Sequence, residues 1–168
     1  MSVFRIYVEK KPEYAVEAKS VLNDIQTALR LNISGVRILN RYDADKLSRE
    51  DFEMSVNTVF SEPAVDVTYS ELPVLINNER IFAVEFLPGQ FDQRADSAMQ
   101  CLQLLNEKEE PIIRSATTYV IEGNVTAEEF EAIKHHCINP VDSRETGLEK
   151  PETLVTVFPA PEDCLLYT

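Results

Sequence analysis

"LSREDFEMSVNTVF" at residues 47–60 is matched in outline by "VTAEEFEAIKHHCI" at residues 125–138, 78 positions further along the chain. The identical letters are Glu50 with Glu128, Phe52 with Phe130 and Glu53 with Glu131. Each stretch begins with a hydroxyl residue, Ser48 or Thr126, in front of apolar residues at helical spacing. Each is followed by a proline and then by Val-Asp. We interpret the two stretches as copies of one helix in a duplicated chain.

The order of the predicted elements around these helices supports the same duplication. "VFRIYVEKK" and "VRILNRYD" are typical of strands, and "AVEAKSVLNDIQTALRL" between them has a helical period. "RIFAVEF" and "IIRSATTYVIEG" predict strands on either side of a helix that begins after Asp92. We expect an α+β fold with two pseudo-symmetric βαββαβ-like halves over residues 1–75 and 76–142. Residues 143–168 have three prolines and weak periodicity, which predicts a linker or a divergent tail.

The composition excludes several classes of partner. With 44% hydrophobic and 27% charged residues, the 168-residue chain resembles ordinary soluble domains, but its net charge is −13. Nucleic acid and anionic membranes attract positive charge, so we expect neither as a partner. No apolar run approaches the roughly 20 residues that span a bilayer, and "MSVFRIYVEKK" does not have the form of a signal peptide. We expect a cytoplasmic protein whose three cysteines are reduced.

The stretch "LPGQFDQRADSAMQC" at residues 87–101 contains the candidate binding surface. A Pro-Gly turn precedes Asp92, which predicts a helix N-cap, and the buried face of that helix begins at Ala95. Asp92 and Asp96 suit the positive end of the helix dipole and would repel a phosphate there. Neither Arg94 nor Asp96 has an oppositely charged residue three or four positions away. These two side chains are therefore either solvated or paired with groups on another surface.

The sequence predicts no self-contained active site. Cys101 lies in mid-helix, where we expect a packed side chain, and His135-His136-Cys137 predicts two surface histidines and a buried thiol. The four glycines are far apart, which excludes a P-loop and a dinucleotide-binding fingerprint. The acidic first turns of the helices are explained by the helix dipole. We predict no catalytic, cofactor-binding or metal-binding residue in this chain.

Five segments carry a resemblance to a known enzyme family. They are "VFRIYVEKKPEYAVEAKSVLNDI", "VRILNRYD", "FSEPAVD", "FAVEFLPGQFDQRADSAMQC" and "INPVDSRE". Together they resemble the N-terminal region of phosphoribosylformylglycinamidine synthase in its long single-chain bacterial form. The resemblance extends from about Val3 to about Leu154, and "LPGQFDQRADSA" is its most specific part.

The resemblance implies a role in de novo purine biosynthesis. The family is a ligase that converts an amide to an amidine with ATP and with ammonia taken from glutamine. Its N-terminal domain is similar to a dimer of the separate small subunit of multi-chain forms, and it acts as a scaffold for the synthetase and glutaminase domains. ATP and Mg are expected for the full enzyme, but no cofactor and no catalytic residue is expected in this chain. The interface residues that the resemblance favours are Phe91, Asp92, Gln93, Arg94 and Asp96.

Two alternatives to the scaffold remain open at this point. One is a stand-alone ferredoxin-like module that binds a small regulatory molecule, although "KKPEYA" after the first strand offers no glycine-permitted loop for one. The other is a non-functional fragment with exposed sheet faces. The resemblance is lost near Val155, where "VTVFPAPEDCLLYT" does not continue it, and we expect a truncated or frame-shifted reading frame there.

Overall fold

The computed structural model describes residues 2–76, 78–107 and 110–155, and in these the chain forms one antiparallel sheet with helices packed on it. The strands are β1 (Phe4–Lys10), β2 (Gly35–Asp45), β3 (Asp66–Tyr69), β4 (Arg80–Phe86), β5 (Ile112–Glu122) and β6 (Ser143–Thr146). The α-helices are α1 (Val16–Ala28), α2 (Arg49–Ser55), α3 (Gln93–Leu105) and α4 (Ala127–Cys137). A 3-10 turn (Pro12–Tyr14) precedes α1, and a π-helical turn (Val56–Phe60) follows α2. The expected mixed α+β class is confirmed.

β2 and β5 form the centre of the sheet, whose strand order is β3-β1-β2-β5-β4-β6. Both strands have 11 residues and pair along their whole length, from Gly35 with Glu122 to Asp45 with Ile112. Every neighbouring pair of strands is antiparallel. The β2–β5 ladder therefore joins the first three strands and the last three in one continuous sheet.

The number of strands differs from the expected βαββαβ order. That order has eight strands in two halves, whereas the described residues form six, in the order β-α-β-α-β taken twice. The difference arises in the segments that connect the helices, each of which forms one strand where two were expected. The chain from α1 to α2 contains one long strand, β2, and the chain from α3 to α4 contains one long strand, β5.

The capping groups that the sequence predicts are found at the starts of α2, α3 and α4. Ser48 caps α2, and the Asp92 carboxylate accepts a hydrogen bond from the Ala95 amide at 3.0 Å. The Thr126 hydroxyl accepts from the Glu129 amide at 3.2 Å, and the Glu129 carboxylate accepts from the Thr126 amide at 2.9 Å. These bonds satisfy amide groups that would otherwise have no partner in the first helical turn. The predicted caps are confirmed.

All four helices pack on one face of the sheet, in two pairs. α1 and α4 share a core with β2, β4 and β5, in which Ile25, Phe82, Ile121 and Ile133 are almost fully buried. α2 and α3 share a second core over β1, β2 and β5 that contains the buried Phe60. The residues of β2 in both cores are even-numbered, so its odd-numbered residues face the other side of the sheet.

The other face is also covered, in part by a segment that the sequence did not place there. Instead of a linker or tail from residue 143, the chain continues as β6 beside β4, and residues 147–155 then lie against the sheet. We call residues 147–155 the strap. The Leu154 side chain is buried, and its amide donates to the Asp45 carboxylate at 2.8 Å. The folded unit therefore extends at least to residue 155, and residues 156–168 of the expected tail lie outside the described residues.

Buried charges on this face hold the strap. Arg5 makes a two-bonded ion pair with Asp43 at 2.6 and 2.8 Å, and it also donates to the Leu148 carbonyl at 2.7 Å. Arg41 donates to the Gly147 carbonyl at 2.8 Å. Burial and the neighbouring positive charge of Arg5 lower the pKa of Arg41. The strap carbonyls thus give each of these two guanidinium groups a hydrogen-bond acceptor, and buried charged groups without partners are costly.

The Asp92→Ala substitution tests the cap and the fixation of α3 on the sheet. Asp92 accepts from the Ala95 amide and also from the backbone amide and hydroxyl of Ser115. Losing a cap and two tertiary bonds should lower the free energy of unfolding by about 2 kcal/mol, measured by urea denaturation. Asp24→Ala, on the exposed side of α1, is the matched control and should change it much less. Equal effects of the two changes would contradict the anchoring role of Asp92.

The Asp45→Asn substitution tests the attachment of the strap through pH. The bond from the Leu154 amide, with those from the Lys46 amide and the Thr153 hydroxyl, lowers the pKa of Asp45. A carboxylate with a lowered folded-state pKa contributes stability above its ordinary pKa of about 4, and this contribution is lost as the pH falls through the folded value. The free energy of unfolding, measured with urea, should therefore be higher for the wild type than for the variant at pH 7, and the difference should be smaller near pH 3. A pH-independent difference would show that the charge of Asp45 is not involved.

Candidate functional site

A cleft of about 750 Å³ opens on the helix-covered face of the sheet, between α3 and the end of α4. We call it the α3–α4 cleft. One wall is α3, the floor is formed by β4 and β5, and the opposite wall is formed by the end of α4 and the residues that lead into β6. Its volume is in the range of sites that take small molecules or several side chains of a partner.

Short side chains form part of the wall and the floor of the cleft. α3 presents Ser97 and Ala98 to it, and β5 contributes Ser115 and Thr117 to its floor. The residues 77 positions before Ser115 and Thr117 are Ile38 and Asn40 of β2. They line a separate, smaller pocket of about 420 Å³. The α3–α4 cleft is thus the larger and the more hydroxyl-rich of the two.

Hydrogen bonds hold the loop before α3 at the rim of the cleft. The Asp92 carboxylate is fully engaged by Ala95 and Ser115, which ties the start of the helix to β5. Gly89 has a φ of +88°, a left-handed conformation that favours glycine, and the Gln90 amide closes the turn on the Leu87 carbonyl at 3.0 Å. This turn leaves the Phe91 side chain 68% exposed beside the cleft.

Arg94 is exposed, and among the described residues it has neither an ion-pair partner nor a hydrogen-bond acceptor for its guanidinium group. Its charge nevertheless acts on two tyrosines that line the same cleft. Burial raises the pKa of Tyr42 and raises that of Tyr119 to about 12, while the positive charge of Arg94 opposes both shifts. Arg94 itself lines this cleft from α3.

The five residues expected at an interface divide into two groups. Phe91, Gln93 and Arg94 are exposed and line the α3–α4 cleft. Asp92 and Asp96 are half-buried and do not line it. Asp92 is used as a cap, and Asp96 accepts from Gln100 at 3.0 Å within α3. The structure therefore brings three of the five together around one opening.

Several lining residues could not be found from the sequence. Phe86, Asn139 and Asp142 line the cleft from the end of β4 and from the chain before β6. Phe86 is 43% exposed, although it ends a strand whose alternation predicts burial. Phe86 directly precedes residues 87–101 in the chain, whereas Asn139 and Asp142 are brought beside them only by the pairing of β4 with β6.

The cysteines and histidines give no metal site among the described residues. His135 and His136 are exposed, as predicted, and no group of three metal-ligating side chains is present in this part of the chain. The prediction for Cys101 was wrong: it is exposed, because it lies on the side of α3 that faces the cleft rather than the core. Cys137 is half-buried, and burial raises its pKa to about 11. Cys164 lies outside the described residues.

No helix in the described ranges is long and apolar enough to cross a membrane. Comparison of the chain with models of known protein families gave no match, and comparison with curated proteins gave none.

The two described cysteines should differ strongly in reactivity. In a Cys164→Ser background at pH 8, a maleimide should modify the exposed Cys101 at least about tenfold faster than Cys137, since the raised pKa of Cys137 leaves little thiolate. Peptide mass spectrometry of a time course measures both rates. Guanidinium chloride should remove most of the difference by unfolding the chain. Equal rates in the native protein would contradict the burial of Cys137.

Proposed function

We propose that the chain is the N-terminal scaffold part of a phosphoribosylformylglycinamidine synthase. In this proposal it consists of two pseudo-symmetric halves packed as in a small-subunit dimer. It holds the synthetase and glutaminase domains together in the cytoplasm and itself provides no catalytic residue. ATP and Mg would act in the synthetase domain of the full enzyme.

The spacing of the elements supports the duplication. β1 and β4 begin at Phe4 and Arg80, which are 76 positions apart. The starts of α1 and α3, of β2 and β5, and of β3 and β6 are each 77 apart, and the starts of α2 and α4 are 78 apart. Five successive elements with a nearly constant offset are difficult to explain without a repeat, because unrelated loops vary in length.

Burial and backbone bonding repeat as well. β1 and β4 have the same sequence of half-buried, buried and exposed positions over seven residues. The Lys11 amide after β1 donates to the Val65 carbonyl before β3, and the Leu87 amide after β4 donates to the Asp142 carbonyl before β6, both at 2.8 Å. The strand order β3-β1-β2-β5-β4-β6 also reads equivalently from either edge. Each set of three strands ends at the shared β2–β5 pair.

The observation that carries the scaffold role is the exposed rim of the α3–α4 cleft. Phe91 and Phe86 are 68% and 43% exposed, and the unpaired Arg94 lies beside them. Exposed aromatic residues next to an arginine are the composition of protein–protein contact sites. Phe91 and Arg94 belong to "LPGQFDQRADSA", the stretch with the most specific resemblance to the synthase.

A second candidate function is the stand-alone module that binds a small regulatory molecule. The volume of the α3–α4 cleft and its hydroxyl-lined floor favour it. A thermal-shift panel of amino acids and nucleotides would separate this candidate from the scaffold, since a bound ligand stabilises the folded state.

The Phe91→Ala variant tests the scaffold proposal. The chain should bind the purified synthetase–glutaminase portion of a long single-chain synthase in a calorimetric titration. The substitution should weaken that association about tenfold because it removes an exposed aromatic contact. The thermal midpoint of the chain should stay nearly unchanged, since Phe91 is mostly exposed in the free chain.

Leu104→Ala is the matched control, because Leu104 is an apolar residue near the other end of α3 that is 84% exposed. It should leave the association constant unchanged. No binding by the wild-type chain would refute the scaffold role. Equal weakening by both substitutions would refute the assignment of the docking surface to the cleft rim.

A further inference from the structure

Two opposite charges line the α3–α4 cleft without pairing with each other. Arg94 is on the α3 wall and Asp142 is on the opposite wall, before β6. Within the described part of the chain, neither side chain has an ion pair, and the two are not within 4 Å of one another. The Asp142 backbone is fixed by its bonds with Leu87 and Asn139, so its position at the wall is set by the fold.

The remaining charge at the cleft is already neutralised. Glu85 borders it from β4, but its carboxylate accepts from Arg144 on β6 at 3.0 Å. These two residues are opposite each other in the ladder and lie on the strand face away from α3. Arg94 and Asp142 are therefore the charges left for an occupant.

The other lining groups favour an amphipathic occupant. Tyr42, Ser115, Thr117 and Tyr119 bring hydroxyl groups to the floor and walls, while Phe86 and Phe91 offer exposed aromatic surface at the rim. A second copy of this chain is a poor occupant, because two molecules with a net charge of −13 repel each other.

We propose that the α3–α4 cleft receives a segment of the synthetase–glutaminase portion that carries an acidic and a basic residue close together. The acidic side chain pairs with Arg94 and the basic one with Asp142, while an apolar neighbour covers Phe91. This inference rests on the proposed scaffold function and specifies the chemistry of its docking site. Complementary charges of this kind set the orientation of a partner and exclude wrong ones.

Charge reversal on each wall tests the pairing. Arg94→Glu and Asp142→Lys should each weaken association with the purified synthetase–glutaminase portion about tenfold, measured by calorimetric titration at low salt. Arg30→Glu and Asp24→Lys are the matched controls, since they make the same charge changes at exposed positions that do not line the cleft. The controls should change the association less than about twofold. The effect of both test substitutions should shrink in high salt, where exposed charges are screened.

The outcomes separate this inference from the function on which it depends. If the wild-type chain binds and the cleft variants match the controls, the charge pairing is overturned and the scaffold role remains. If the wild-type chain does not bind, both are overturned. A third outcome is that glycine or glutamine raises the thermal midpoint of the wild type but not that of Arg94→Glu, while Arg94→Glu binds the synthetase–glutaminase portion as tightly as the wild type does. In that case the cleft is a small-molecule site and the proposed occupant is wrong. Thermal midpoints of all variants, compared with the wild type, confirm that each one is folded.

Discussion

The antiparallel pairing of β2 with β5 is the constraint on which the rest of the structure depends. Its 11 registered residue pairs join strands from the two parts of the chain, and its two faces are buried by different sets of residues. Even-numbered residues of β2 contribute to the cores under the helices, whereas Leu39 and Val120 pack on the other side with Tyr7. A one-residue slip would exchange the faces of every side chain, so burial on both sides specifies the register. The α3–α4 cleft exists because this register places Ser115 and Thr117 on the helix side.

The charged side chains buried on the sheet face opposite the helices would destabilise the fold without the strap. Arg5, Arg41, Asp43 and Asp45 are all nearly inaccessible to solvent there, and buried ions are tolerated only with partners and hydrogen bonds. The strap supplies backbone carbonyls to the two arginines and an amide to Asp45. Polar contacts at fixed positions therefore attach the strap, together with the buried side chain of Leu154.

Local chemistry made much of the fold predictable. Strand alternation and helical spacing located the main elements. The hydroxyl and carboxylate caps at Ser48, Asp92 and Thr126 marked helix starts, because capping depends on residues within one turn. β6 was not predictable in this way. Its sequence, Ser-Arg-Glu-Thr, has no apolar alternation, and it becomes a strand only because the exposed edge of β4 pairs with it. Cys101 was misassigned because helical periodicity cannot say which side of a helix is left uncovered.

The sequence by itself determined the mixed α+β class, the capped helix starts and three residues of the candidate surface: Phe91, Gln93 and Arg94. The class and the helix starts follow from composition, periodicity and spacing, which act over a few residues. The three surface residues were favoured by the resemblance of their segment to the synthase family. Tertiary structure alone decided the strand order, the clamped strap and the α3–α4 cleft, including the placement of Asp142 opposite Arg94. Those features depend on pairings between residues tens of positions apart. A local sequence pattern does not predict which strands pair with each other or which side chains remain unpaired near them.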